Sequence, residues 1–207
     1  MKRTAVSKPV MERLPLYLQY LKAEQAIPGK TVSSTTIARA LNLGDVQVRK
    51  DLGLISGAGK PKVGYVACDL IRQLEQYLRS EAENTAVVVG AGKLGQALMG
   101  YGGFREYGLT LAAAFDSDPQ KTGSGAPDAP LPMTEFPAYC ARVRPRIGII
   151  TVPEEQAEEV CRLMVENGIR AIWNFSRRRL RVPDGILVRN EDLASSLAAL
   201  SGALNEI

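Results

Sequence analysis

The sequence contains no histidine. This removes the side chain most used for proton transfer near neutral pH and the commonest metal ligand, so any enzyme or metal centre here has to work without imidazole. Cysteine is scarce. Cys68, Cys140 and Cys161 are odd in number and far apart, with no C-x-x-C spacing, which supports neither a disulfide framework nor a zinc site and fits a reducing compartment. No window approaches the about eighteen apolar residues of a membrane span, and the basic start of the chain is not followed by the apolar stretch of a secretion signal. The chain is expected to be soluble and cytoplasmic, with neither membrane nor metal as a partner.

What is present is unevenly placed. A chain of 207 residues, 45% hydrophobic, can build one large domain or two small ones. Residues 1–80 hold 13 Lys/Arg against 6 Asp/Glu, and residues 81–207 hold 13 against 16, so the two parts carry +7 and −3. A solvated basic surface would account for the first part. Binding to a phosphate backbone would account for it equally well.

Leu14, Leu18 and Leu21, with Tyr17, recur at helical spacing from Met11 to Glu24, and Pro28-Gly29 ends that helix. Ser33-Ser34-Thr35 offers cap oxygens for a second helix through Leu41, Asn42-Leu43-Gly44 reads as a tight turn, and Asp45 as the cap of a third helix with Val48, Leu52 and Ile55 inside. Three short helices with a sharp second turn suggest a helix-turn-helix. The glycine-bounded basic stretch Lys60 to Val66 reads as a wing hairpin, and Asp69 to Leu78 as a further amphipathic helix. A polar junction at Ser80 to Thr85 marks a domain boundary.

Beyond it, strand-like runs at Ala86–Val89, Leu109–Phe115, Ile147–Val152, Ala171–Trp173 and Ile186–Val188 alternate with helices at Leu94–Tyr101 and Glu154–Asn167, which is the pattern of a parallel sheet. Residues 122–132, rich in Gly and Pro, read as a loop. The last helix, Glu191 to Leu204, carries Leu193, Leu197, Leu200 and Leu204 and needs a partner surface. The expected division is a winged helix-turn-helix domain over 1–80, a Rossmann-like α/β domain over 81–190 and a C-terminal helix over 191–207.

Gly90-Ala91-Gly92-Lys93-Leu94-Gly95 is a G-x-G-x-x-G that follows a strand and opens a helix. The first glycine allows the turn, the second lets backbone approach a pyrophosphate at the helix N-terminus, and the third lets helix and sheet pack closely. Asp116 ends the next strand, where a carboxylate accepts from ribose hydroxyls and repels a 2′-phosphate, favouring NAD(H) over NADP(H). Lys121 and Arg105 are the nearby cations, and Lys121 is included in the cofactor set. For turnover a dehydrogenase needs a proton donor or acceptor at the nicotinamide. Only Tyr101 and Lys93 offer themselves, poorly, and no substrate domain fits in the remaining residues. Binding without turnover is the simpler account. In the N-terminal part, Gln47, Arg49 and Lys50 on the third helix and Lys60 and Lys62 on the wing suit base edges and phosphates. The Arg177-Arg178-Arg179 run with Arg181 reads as a solvated loop, and Trp173 and Phe175 as core or interface.

Several motifs in order resemble one family: Arg13-Leu14-Pro15-Leu16-Tyr17, Val48-Arg49-Lys50-Asp51-Leu52, Val63-Gly64-Tyr65, the glycine motif, Ala114-Phe115-Asp116, Ile150-Thr151-Val152-Pro153 and Asn174-Phe175. From Arg13 to Leu204 the chain resembles the redox-sensing repressor Rex. The resemblance implies a homodimer that binds double-stranded operator DNA when NADH is low and leaves it when NADH rises, with NAD+ competing. It adds Thr151, Val152, Pro153 and Asn174 to the cofactor residues and Tyr65 to the DNA-binding ones. It also implies that the terminal helix is exchanged between subunits, and that Arg13, Tyr101 and Asp192 couple the domains. The chain departs from the family at Pro61-Lys62 in the wing and at Ser176-Arg177 after Asn-Phe. Two other readings stay open: a small NAD-dependent oxidoreductase, and a nucleotide- or CoA-binding module without DNA activity.

Overall fold

Apolar residues every three or four positions build α1 (Lys8–Glu24), which starts a turn before the expected Met11 and buries Val10, Leu14, Tyr17, Leu18 and Leu21. It belongs to the first of two units, Met1–Ala82 and Glu83–Ile207, into which the chain divides. The structure is a computed structural model describing residues 6–24, 27–61, 63–78, 84–122 and 128–204. The expected domain boundary after residue 80, most of the polar junction, Lys62 and the middle of the 122–132 loop lie outside the described residues.

In the first unit α1 is followed by β1 (Thr31–Val32), α2 (Ser34–Ala40), α3 (Asp45–Ser56), β2 (Tyr65–Val66) and α4 (Ala67–Leu78). Ser33 caps α2, its hydroxyl accepting from the Thr36 amide at 3.0 Å. Asn42 turns the chain at φ 52°, a left-handed conformation that asparagine tolerates. The cap of α3 is Gly44, whose carbonyl accepts from Val48, and not Asp45 as expected. Asp45 is already the first helical residue, because the Asn42 turn brings the chain into helical geometry one position early. The wing also differs from a simple hairpin. Lys60 and Gly64 close a tight turn on each other, while β2 pairs antiparallel with β1, a two-residue strand with no periodic signal in the sequence.

The second unit holds a six-stranded sheet: β3 (Asn84–Val89), β4 (Leu109–Asp116), β5 (Leu131–Pro132), β6 (Ile147–Ile150), β7 (Ala171–Asn174) and β8 (Leu187–Asn190), in the order β5-β4-β3-β6-β7-β8. Every pairing is parallel. The central strands are buried on both faces, as parallel strands between helices are. Val87 and Val89 face a core with Phe115, Phe136, Ile150 and Met164, and Ala86 and Val88 face another with Ala91, Ala114 and Ile149. The helices are α5 (Lys93–Gly100), α6 (Pro119–Thr122), α7 (Phe136–Val143), α8 (Glu154–Glu166) and α9 (Leu193–Ala203). A 3-10 turn over Gly102–Tyr107 leads into β4, and another, Met133–Glu135, leads into α7.

The 122–132 stretch is not loop throughout, since Leu131 and Pro132 pair with Phe115 and Asp116 at the sheet edge, where a proline without N–H is tolerated. Cys140 on α7 and Cys161 on α8 are buried, and burial raises both thiol pKa values, that of Cys161 to about 11 with the Glu158 charge adding. The last helix, α9, is capped by Asp192, which accepts from the Ser195 amide at 3.0 Å. None of its residues is buried, and Leu193, Leu197, Leu200 and Leu204 are each 64–67% exposed.

Candidate functional site

Strand order reverses between β3 and β6, which makes the crevice beyond their carboxyl ends the ligand position of an open parallel sheet. Gly90 leaves β3 at φ 103°, and a Cβ there would lie 2.8 Å from the Thr151 backbone. A Cβ at Gly95 would collide with the carbonyl oxygen of Gly90, so α5 packs against the turn only because residue 95 has no side chain. At Gly92, which caps α5, an added Cβ meets nothing within 4 Å. That open space lies before the unpaired amides of the first helical turn, the arrangement that receives a phosphate.

Thr151 closes the opposite wall, its hydroxyl donating to the Gly90 carbonyl at 2.7 Å. Asp116, 7% exposed, accepts on Oδ2 from the Ala91 amide at 2.8 Å and Lys121 Nζ at 3.0 Å, and on Oδ1 from the Asp118 amide at 2.9 Å. Oδ1 therefore keeps an unused lone pair for a hydroxyl. Burial by itself would raise the Asp116 pKa, but the Asp118 amide, Lys121 and the Ala91 amide outweigh it and hold the carboxyl below its ordinary value of 3.8.

A group whose pKa is lowered on folding stabilises the fold fully above its unfolded pKa and loses that contribution as pH falls through the folded value. We expect the stability difference between the native chain and Asp116→Asn to be constant above about pH 5 and to shrink below about pH 4. Acid unfolding followed by Trp173 fluorescence measures it, Trp173 being the one tryptophan of the chain. A difference that persists undiminished into strong acid would show that the carboxylate is not what these groups hold.

Of the expected cofactor residues, Gly90, Gly92, Asp116, Lys121, Thr151, Val152 and Pro153 line one crevice of about 590 Å³. Ala91 and Gly95 are buried behind it, Leu94 is half-buried, and Lys93 is exposed at the start of α5. Asn174 is not in that lining. It is fully buried, its Nδ2 donates to the Arg178 carbonyl and Asn190 Oδ1, and its Oδ1 accepts from the Ser176 amide and hydroxyl. These bonds pin the loop after β7 to β8. Arg105 precedes β4, at the end of the sheet opposite the crevice, whereas Lys121 is paired with Asp116 and offsets part of its charge. The sequence reading missed Ser117, Asp118, Met133 and Gln156 in the lining. The Asp-x-Asp spacing of Asp116 and Asp118 was the available signal for an Asx-type turn.

In the first unit Gln47, Arg49, Lys50 and Lys60 are exposed, the first three on α3. Tyr65 is 9% exposed, and a Cβ at Gly59 would lie 2.9 Å from its ring, so it packs beneath the turn. Under α3 lies a buried ion pair. Arg13 donates from Nε and Nη2 to the two oxygens of Asp51 at 2.7 and 3.0 Å, and the Tyr17 hydroxyl donates to Asp51 at 2.7 Å. The Tyr17 pKa is raised, first by burial and then by this bond. With its amide oxygen turned inward, Gln47 accepts from Arg13 Nη1 at 3.0 Å.

In the second unit Tyr101, 62% exposed, begins a chain of rings. Its ring stands edge-to-face with Phe104, centroids 5.0 Å apart, Phe104 does the same with Trp173 at 6.0 Å, and Trp173 Nε1 donates to Glu191 beside Asp192. Among the described residues there is no group of three or more His, Cys, Asp or Glu able to hold a metal ion, and no helix is long and apolar enough to cross a membrane.

Residues 5–53 match the family model described as "Putative DNA-binding protein N-terminus", and residues 81–177 the one described as "CoA binding domain". The chain is 42% identical over 205 residues to the redox-sensing transcriptional repressor Rex of Treponema denticola, covering 99% of this chain and 98% of that protein. It is 36% identical to the Rex of Porphyromonas gingivalis, covering 99% and 94%. Among solved structures, RSP in complex with beta-NAD+ and operator DNA superposes with a TM-score of 0.88 at 33% identity, covering 98% of this chain and 94% of that one. RSP in complex with beta-NADH gives 0.86 at 32%, covering 98% and 96%.

A helix-turn-helix unit with a basic turn, joined to a parallel-sheet unit with a nucleotide crevice at its switch point, defines a class: DNA-binding regulators that carry their own nucleotide sensor. Within that class the chain belongs to the Rex family of redox-sensing transcriptional repressors.

Proposed function

We propose that the chain, as a homodimer, binds operator DNA while NADH is scarce and leaves it when NADH enters the crevice beside Asp116, with NAD+ competing for the same place to weaker effect. The observation that carries this reading is the crevice. It has a glycine-lined phosphate seat and a buried carboxylate with one open lone pair, in a chain whose other unit presents Gln47, Arg49, Lys50 and Lys60 to solvent. The relatives support it: one RSP structure holds beta-NAD+ with operator DNA and another holds beta-NADH.

Each group has a stated task in this reading. Gly92 and the first amides of α5 hold the pyrophosphate, and Asp116 Oδ1 takes a ribose hydroxyl. The same charge disfavours a phosphate on that ribose, which selects against both NADP(H) and CoA. The bound nucleotide supplies the redox signal, since its two forms differ in charge at the nicotinamide ring. The chain is a sensor and not an enzyme. What supports this is that the relatives are named as transcriptional repressors.

Residues 1–80 act as the winged-helix domain, 81–190 as the Rossmann domain and 191–207 as the dimerisation helix, a role supported by the uncovered leucines of α9. A cytoplasmic location belongs to the same reading. Titrating NADH and NAD+ into the full-length protein bound to a labelled duplex, selected from a random pool by the protein itself, tests it. NADH is expected to release the duplex at far lower concentration than NAD+, and by linkage the duplex weakens NADH binding by the same factor. Sustained consumption of NADH with a small carbonyl compound, or no duplex retained at any salt concentration, overturns it.

Arg13, Tyr101 and Asp192 are the coupling residues of this proposal, and the ring chain from Tyr101 to Glu191 supports the role of the last two. Asp192→Ala is expected to weaken NADH-driven release. Because Asp192 also caps α9, the comparison with Asp192→Ser, which keeps a capping oxygen, separates loss of the cap, about 1 kcal/mol, from loss of the charge. Release identical to the native chain in both variants removes Asp192 from the mechanism.

A further inference from the structure

None of the residues of α9 is buried, so the direction this helix takes is decided at its root, where β8 ends at Asn190 and α9 begins at Leu193. Only Glu191 and Asp192 stand between them. An eleven-residue helix is about 16 Å long. A change of direction of about 20° at the root therefore moves its far end by about 6 Å, roughly one helical turn of the surface that receives Leu193, Leu197, Leu200 and Leu204.

Glu191 is fixed at three points. Its amide donates to the Asn174 carbonyl at 2.8 Å, and its Oε1 accepts from Trp173 Nε1 at 3.1 Å and from Arg189 Nε at 2.6 Å. The residue before it is tied as well, Asn190 Oδ1 accepting from Asn174 Nδ2 at 2.8 Å. An ion pair between residues two apart on an exposed edge strand contributes little by itself. The indole is a different matter. Its N–H needs an acceptor where the ring is half-buried, and among the described residues Glu191 is the acceptor it has. The ring that brings this N–H is itself held, packing on Phe175 with centroids 4.6 Å apart and on Phe104 at 6.0 Å.

We propose that Glu191 is a positioning residue for dimerisation: gripped by Trp173 and Arg189, its carboxylate fixes the direction in which α9 leaves the sheet, so that the helix meets a second copy of the chain already aimed. Preorganisation of this kind lowers the ordering cost of association. The proposal rests on the homodimer reading above and gives it a residue that acts through Trp173 and not through the leucines. Trp173 is also the far end of the ring chain from Tyr101, which follows α5, so packed side chains join the root of α9 to the helix of the phosphate seat.

The test uses full-length Glu191→Ala, Glu191→Gln, Trp173→Phe and the double variant Trp173→Phe with Glu191→Ala. Subunit exchange between dimers labelled at the N-terminus with donor or acceptor dyes is followed by energy transfer. Glu191→Ala and Trp173→Phe, which keeps a ring and loses the N–H, are each expected to speed exchange by about threefold to tenfold. The double variant should exchange no faster than Glu191→Ala, because the bond the two residues share is already gone. Glu191→Gln keeps an oxygen for the indole and should exchange more slowly than Glu191→Ala, and Trp173 emission should shift in Glu191→Ala more than in Glu191→Gln. Exchange at the native rate in Glu191→Ala overturns the proposal. So does a double variant whose effect is the product of the two single ones, or a glutamine that rescues nothing. A native chain that stays monomeric at every concentration overturns the homodimer reading itself, a result seen before any variant is made.

Discussion

Gly95→Ala is expected to leave a repressor that still binds DNA and no longer responds to NADH. One methyl group suffices because what it meets is backbone. The carbonyl oxygen of Gly90 occupies the place of the new Cβ, and Thr151 Oγ1 lies 3.1 Å away. Neither can give way cheaply, since that oxygen also accepts from Thr151 at 2.7 Å and Gly90 is itself walled by the Thr151 backbone at 2.8 Å. The helix has to move, and it takes with it the first amides of α5. Overpacking of this kind costs about 1–3 kcal/mol of stability. The displaced amides no longer converge on the pyrophosphate, and losing one or two charge-assisted hydrogen bonds, about 1.5–3 kcal/mol each, lowers affinity by at least about tenfold. Calorimetric titration with NADH, beside duplex binding with and without NADH, checks both halves. Native NADH affinity in this variant would mean that the glycine loop does not hold the nucleotide.

Asp51→Ala should remove most of the stability of the DNA-binding unit. The carboxylate is 5% exposed and holds both Arg13, at 17%, and the fully buried Tyr17 hydroxyl. Deleting one partner of a buried pair strands the other, at a cost of about 3–5 kcal/mol, against about 5–15 kcal/mol for a whole domain. The pair itself is a different matter. Arg13→Met, Tyr17→Phe and Asp51→Leu together leave nothing unpaired, and should recover most of the loss. Urea unfolding followed by circular dichroism reads both units and Trp173 fluorescence reads the second, so the part of the dichroism transition that fluorescence does not share belongs to the first. A single variant as stable as the native chain would show that water reaches Arg13 and Tyr17 after all.

That pair also shows where the sequence stops being legible. Asp51 stood in a quoted motif, yet nothing local marked it as buried, because its partners lie 38 and 34 positions away. Asn174 was in a motif too, and the pattern says nothing of the bonds that tie its side chain to the loop after β7 and to β8. The parallel sheet was readable, since strands buried on both faces give unbroken apolar runs and the glycine motif fixes where the first one ends. α7 was missed: it begins at Phe136-Pro137 just after Pro130 and Pro132, and it buries only Phe136 and Cys140. β1 and β5 are two residues each, too short for any periodicity to show. The glycine crevice was therefore legible in outline, and its lining from Ser117 to Gln156 emerged only when distant segments met.

The two thiols buried in the second unit bear on the fidelity of the signal. A thiolate reacts with peroxide and a thiol scarcely does, and with its pKa near 11 Cys161 is ionised in roughly one molecule in ten thousand at neutral pH. Cys140 is shifted in the same direction. With no histidine in the chain either, the unit carries no side chain whose ordinary pKa lies between about pH 5 and 8, and the consequence is that the redox signal has to enter through the bound nucleotide and not through the unit's own thiols.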